Sequence, residues 1–225
     1  FNTNFRFLND RLTVVYKILK EDIDFPLVES FKQNSFLIIA GSTWEEDEDI
    51  LLEYKQKFPH HKLIIAPHEI HESRINKLKK RFGKDAFLFS EADTNKVSKY
   101  SILIIDSIGK LSYLYKYSDI AFIGGGFGAG IHNILEAATF GKPILFGPKY
   151  HKFQEAKDLV NRGGAFSIID SKEFIQIVRS LEENKDKLKR AAETSGKYVE
   201  NNKGASDKIL KHIKAAELHR RNQVK

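Results

Sequence analysis

The chain has 225 residues, 41% hydrophobic and 30% charged, enough for one large domain or two small ones with an ample core. It contains no cysteine, which excludes disulfides and thiolate chemistry, and no apolar run approaches the roughly 20 residues needed to span a bilayer. The formal charge of +7 is uneven: residues 184–225 hold 12 Lys/Arg against 5 Asp/Glu, so the whole excess sits in the tail.

The chain begins at Phe1, holds no methionine and shows no signal peptide, and it is read as a piece of a longer protein. Residues 12–31 have largely helical spacing with a break near Pro26. Short, mostly unbroken runs rich in Ile and Leu follow at 36–40, 62–66, 86–89, 101–106, 120–123, 144–146 and 165–168. Such runs suit strands buried on both faces. Helical patterns lie between them at 46–57, 72–82, 109–117, 131–140, 153–161 and 172–182. Gly141 and Pro143 punctuate a helix end and the entry to the next strand. Strand and helix alternate, which predicts a Rossmann-like, doubly wound parallel α/β sheet with right-handed crossovers. Further helices fill the tail from about residue 185. Its basic excess suits either a solvated helix face or an anionic membrane surface. Tyr198 is the one aromatic there, so bases have no stacking platform and nucleic acid is not an expected partner.

In such a sheet the ligand lies beyond the C-terminal strand ends. The loops predicted there are 41–45, 67–71, 107–110, 124–130 and 147–153, and they collect Ser42, Thr43, Trp44, His68, Glu69, His71, His132, Asn133, Lys149 and His151. The most informative segment is DIAFIGGGFGAGIHNILE, residues 119–136. A strand ends in Gly124, Gly125 and Gly126; Gly128 and Gly130 then lead into helical spacing. A strand, glycine loop and helix aim backbone N–H groups and a helix dipole at one point, which suits a phosphate. The P-loop pattern is absent, because Pro143 follows Gly141-Lys142. The dinucleotide pattern fails in every register, since its third glycine would fall on Ala129 or Ile131. A mononucleotide-type donor fits better.

Glu136 stands three residues after Asn133, one turn below the loop, where a carboxylate can accept from both hydroxyls of a ribose; the alternatives are an exposed helix residue at Glu136 and an Asn133 that merely caps or packs. Ser42 and Thr43 are either helix N-caps or donors to the ligand. The acidic run after Trp44 suits the start of a helix, with a carboxylate pair for acid–base chemistry as its other reading. His68, Glu69 and His71 have the wrong spacing for a zinc helix, so no metal and no cofactor are expected. No nucleophile elbow or general base is evident.

Taken together, AGSTWEEDE, IIAPHEIHESR, IDSIGKLSYLYKYSDIAFIGG and GGGFGAGIHNILEAATFGKPILFGP resemble the 3-deoxy-D-manno-octulosonic acid (Kdo) transferases of lipid A, most closely their Bacteroidetes branch. The resemblance covers residues 35–169 in the right order. It implies the C-terminal half of a two-domain GT-B glycosyltransferase. That half binds CMP-Kdo, while an absent N-terminal domain holds the lipid A precursor and the catalytic glutamate. No catalytic residue is then expected in this chain, which would be inactive alone. The resemblance also implies a CMP site of Pro67, His68, Ile108, Gly109, Lys110, Asn133, Ile134, Leu135 and Glu136. Ser42, Thr43, Gly125, Gly126, Gly128 and Gly130 would lie near the phosphate or Kdo. Many relatives carry arginine where this chain has His68. The implied organisation is a helical interdomain segment (1–34), a CMP-sugar-binding domain (35–183) and basic helices packing on or extending from it (184–225). The chain would be soluble, its parent working at the cytoplasmic face of the inner membrane. The competing readings are a donor domain for UDP- or GDP-sugars and a non-catalytic nucleotide-binding module.

Overall fold

Each of the seven apolar runs pairs with a neighbour: β1 (Leu37–Thr43), β2 (Lys62–Pro67), β3 (Ala86–Leu88), β4 (Ile102–Ile104), β5 (Ile120–Ile123), β6 (Ile144–Phe146) and β7 (Ala165–Ser167). The computed structural model describes residues 18, 21 and 23–202. All pairings are parallel, in the order β3-β4-β2-β1-β5-β6-β7. Helices α1 (Pro26–Lys32), α2 (Glu45–Lys57), α3 (Glu72–Phe82), α4 (Leu111–Leu114), α5 (Leu135–Thr139), α6 (Gln154–Arg162), α7 (Ser171–Glu183) and α8 (Lys185–Asn202) connect and follow the strands. The expected Rossmann-like doubly wound architecture is present.

The two-residue period of a strand divides the core into two layers. Leu37, Ile39, Ala121, Ile123, Ile144 and Phe146 face one side, where Val28 and Phe31 of α1, Ala156 and Leu159 of α6, and Tyr198 and Val199 of α8 cover them. Ile38, Ala40, Leu63, Ile65, Phe122 and Leu145 face the other, under Leu51 and Tyr54 of α2, Leu78 of α3, and Phe174 and Val178 of α7. Both faces being covered, β2 and β5 are buried at every position and need no polar alternation.

The chain leaves β1 for β2, β3 and β4 on one side, then returns to lay β5 against the other edge of β1. That reversal opens a crevice beyond the C-terminal ends of β1 and β5, the usual ligand position in open α/β sheets.

Several element ends differ by a residue or more from those read in the sequence, the strand read at 101–106 being only Ile102–Ile104, and three differences bear on the crevice. β1 runs on to Thr43, so Ser42 and Thr43 belong to the strand and not to a loop. The helix expected over 131–140 is only the five residues of α5, because His132 N–H is drawn back to the Gly124 carbonyl (3.3 Å) and Asn133 Oδ1 accepts from Leu135 N–H (3.2 Å). The helix expected over 109–117 is α4 followed by a 3-10 turn, Tyr115–Tyr117. The break near Pro26 is the start of α1, with proline in its first turn. Most of the helix expected over 12–22, and the tail beyond Asn202, lie outside the described residues. Among the described residues no helix is long and apolar enough to cross a membrane.

Candidate functional site

The rim of the crevice begins with an irregularity in β1. The register to β2 slips between Gly41 and Thr43, and Ser42 takes a positive φ of 54°. Pro67 then lies opposite Thr43, and His68 N–H donates to the Thr43 carbonyl (3.0 Å). Thr43 is 1% exposed, and its hydroxyl donates to Glu48 Oε1 (3.0 Å). Arg74 of α3 donates to the same oxygen, and Arg81 stands 3.6 Å from the other. Glu48 is fully buried. Burial pushes its pKa up, while Arg74 is the largest opposing influence. The pair ties the start of α2 to α3.

Neither Ser42 nor Thr43 caps α2. Trp44 holds the N-cap position, and Asp47, three residues on, accepts its N–H through Oδ2 (2.9 Å). The same oxygen accepts the N–H of Gly125 (2.9 Å). Asp47 is 1% exposed, and its Oδ1 has no hydrogen-bond partner. Burial raises its pKa from 3.8 to about 6, against the lowering effect of the Gly125 and Trp44 N–H groups.

This bond revises the expected chemistry of the glycine loop. Gly125 N–H serves a buried carboxylate, so it is not offered to a ligand. Gly128 and Gly130 N–H both donate to the Gly125 carbonyl (3.0 and 3.1 Å), and Gly124 N–H donates to Gly41 (2.9 Å). The helix that follows begins only at Leu135 and is one turn long, too short for a substantial macrodipole. The glycines instead permit close backbone approach. A Cβ at Gly124 would lie 2.3 Å from the Ser42 carbonyl oxygen, and one at Gly126 would lie 2.6 Å from Gly147 N. The loops after β1, β5 and β6 therefore meet backbone to backbone, joined further by Lys149 N–H donating to the Gly126 carbonyl (2.9 Å). Gly128 sits at an open tip, with only the Gly125 oxygen near its absent Cβ, at 3.7 Å.

Three rings from three loops stack over this floor. Trp44 and His68 lie 4.7 Å apart and His68 and His132 4.4 Å apart between centroids, each pair tilted by 29°. Trp44 Nε1 donates to His132 Nε2 at 3.4 Å. Trp44 and His68 are exposed and His132 half-buried. The cluster carries ring nitrogens and a flat face where β1, β2 and β5 end, groups able to hydrogen-bond phosphate or carboxylate oxygens and to pack against a sugar or base.

Further along the rim, Asn133 Nδ2 donates to Glu136 Oε1 (3.1 Å), so the two residues read as one recognition unit do meet. Both are half-buried, while Ile134 and Leu135 are buried. Burial, then the Glu136 carboxylate, hold the Tyr115 phenol well above its usual range. That phenol lies against Gly41, where a Cβ would come within 2.0 Å of the oxygen and 2.8 Å of Leu111. Gly109 has φ 85°, Ile108 is 85% exposed, and Lys110 donates to Ser107 Oγ (2.7 Å).

His71 stands apart from His68. It caps α3, accepting Arg74 N–H at Nδ1 (3.3 Å), with Glu69 at 3.3 Å from Nε2. Among the described residues no three His, Cys, Asp or Glu side chains converge on a metal position.

The sequence reading missed Asp47, Glu48 and Arg74 as the supports of the rim. A signal existed: Asp47 shares the 3.6-residue spacing of Ile50, Leu51 and Tyr54, the buried face of α2.

With this geometry in place, comparison with known proteins is informative. No family model matches the chain. It is 32% identical over 222 residues to the 3-deoxy-D-manno-octulosonic acid transferase of Rickettsia prowazekii, covering 94% of this chain and 46% of that protein. The enzyme of the same name from Aquifex aeolicus is 29% identical over 182 residues, 76% of this chain and 50% of that protein. Among solved structures, the C-terminal CMP-Kdo binding domain of WaaA from Acinetobacter baumannii superposes with a TM-score of 0.67 at 17% identity, over 84% of this chain and 98% of that one. The Anabaena protein Alr3699/HepE, solved with UDP, gives 0.62 at 15% identity, over 86% of this chain and 54% of that one. The chain spans about half the length of the curated relatives it matches. Sequence similarity of this extent, on a parallel Rossmann-like sheet, makes the chain a homologue of the 3-deoxy-D-manno-octulosonic acid transferases.

Proposed function

We propose that this chain is the donor-binding part of a glycosyltransferase that moves Kdo from CMP-Kdo to a lipid A precursor. The observation that carries the reading is the match to Kdo transferases over 94% of the chain. In this reading Pro67, His68, the 108–110 turn and the Asn133–Glu136 unit hold CMP, with Glu136 accepting the ribose hydroxyls. Ser42, the Thr43 backbone and the tip of the glycine loop border the phosphate and Kdo. As CMP leaves, the anomeric centre gains oxocarbenium character and negative charge grows on the phosphate. Preorganised donors on the rim stabilise that charge, and His68 and His132 carry the ring nitrogens suited to it.

The packing of His68 against both Trp44 and His132, which also touch each other, supports a placed, hydrogen-bonding imidazole at the rim. The acceptor and the base that deprotonates it belong to a partner domain, so this chain binds the donor nucleotide and catalyses nothing alone. Residues 35–183 form the nucleotide-binding unit, and the parent protein works at the cytoplasmic face of the inner membrane, with the basic 184–225 segment toward an anionic lipid surface.

The test is a titration of the chain with CMP, followed by amide shifts. Shifts confined to His68, 108–110 and 124–136, with CMP outcompeting UMP and GMP, are the expected result. Unmoved amides over 124–136 would refute the site, and preference for UMP or GMP would reassign the donor.

A further inference from the structure

Outside the crevice, beside the edge strand β7, lies an open surface pocket of about 390 Å³. It is within the roughly 300–1,000 Å³ range of small-molecule sites. Gly163, which enters β7, and Arg162, which ends α6, form one wall; the Phe166 ring and α8 form the others. Lys187, Arg190, Thr194 and Lys197 recur on α8 at intervals of three or four residues, so they share one stripe facing the cavity. The lining therefore holds four cationic side chains against a single acid, Glu193.

The charges are only partly neutralised within the protein. Glu193 stands 3.6 Å from Lys197. Lys187 donates to Ser180 Oγ (2.8 Å) and lies 5.9 Å from the Phe166 ring centroid. The Arg162 guanidinium packs over the Tyr198 ring at 5.4 Å. Arg162 and Arg190 make no ion pair among the described residues. Lys187 and Arg190, one turn apart on the same stripe, repel weakly, and a bound anion would relieve that repulsion. Arginine forks match the oxygens of a phosphate. Phe166 and Ala191 add an apolar wall, and the volume exceeds what a bare phosphate fills.

We propose that this cavity is a second anion site, built for a phosphate group carried on an organic body. A membrane lipid headgroup and a soluble phosphate ester share that chemistry. The site is separate from the crevice and does not depend on the donor assignment.

The experiment uses the full 225-residue chain with two probes: glycerol 3-phosphate followed by amide shifts, and cosedimentation with phosphatidylcholine vesicles prepared with and without phosphatidic acid. The comparison protein is Arg162→Gln/Arg190→Gln. Both arginines are exposed, so the variant should keep its urea midpoint. The expected result is a response near Gly163, Arg190 and Thr194 that weakens roughly tenfold in the variant. A response to glycerol 3-phosphate alone identifies a soluble ester, and one confined to phosphatidic acid vesicles identifies a lipid. No response to either probe, or equal responses in both proteins, overturns the proposal. So does vesicle binding that Lys203→Gln/Lys208→Gln/Lys211→Gln abolishes while the cavity variant leaves it intact. CMP shifts over 124–136 should be the same in all three proteins, so failure here leaves the donor reading standing.

Discussion

Replacing Asp47 with asparagine should remove a large part of the pH dependence of folding. The carboxylate is 1% exposed, accepts two N–H groups on Oδ2 and leaves Oδ1 without a partner. Its pKa is raised from 3.8 to about 6, so the native state binds the proton more tightly than the unfolded chain does. Stability from this group is therefore greatest below pH 3.8 and is lost as the pH rises to about 6. At about 1.4 kcal/mol per pH unit, ionisation costs roughly 3 kcal/mol once complete. Asparagine keeps an oxygen for the Trp44 and Gly125 N–H groups but does not titrate. Urea unfolding from pH 4 to 7.5 should show the variant gaining roughly 2–3 kcal/mol on the parent across that range, with the slopes in urea unchanged. Glu48 is retained in both proteins, so only its minor coulombic coupling to Asp47 enters the difference. Parallel stability profiles for the two proteins would refute the argument.

Three further outcomes follow from the same geometry. Gly126→Ala puts a methyl 2.6 Å from Gly147 N and should cost about 1–3 kcal/mol in thermal or urea unfolding, whereas Gly128→Ala, with nothing nearer than 3.7 Å, should stay within about 0.5 kcal/mol. Arg74→Ala strands the buried Glu48 with Arg81 as a poor substitute at 3.6 Å; a loss of about 3–5 kcal/mol is expected, and adding Glu48→Gln should recover much of it. Glu136→Gln keeps the Asn133 contact but loses the charged acceptor, so CMP affinity should fall by about tenfold or more in the shift titration, with no change for inorganic phosphate.

The positions of the strands were legible because a sheet covered on both faces leaves unbroken apolar runs, as at Ile120–Ile123. The rim of the crevice was legible through Asn133 and Glu136, whose three-residue spacing brings them together whether the segment is a long helix or a short one. The long helix over 131–140 was misread because its apolar residues pack for tertiary reasons: Ile131 and Ile134 are buried in the core without being helical.

The glycines show the division most plainly. Their presence in the loop was visible, and so was the need for unusual backbone, but the reason was not. Local sequence cannot say that Gly126 will meet Gly147, twenty-one residues later, or that Gly125 N–H will find Asp47 rather than a ligand. Periodicity and composition by themselves determined the parallel α/β sheet, the end of it where the candidate loops gather and the basic character of the tail, because those depend on short-range repeats. Only the tertiary structure decided which polar groups serve the fold and which remain for chemistry. Asp47, Glu48 and Arg74 are spent on each other and on backbone, and Trp44, His68 and His132 form one cluster, because strands distant in sequence end at the same place.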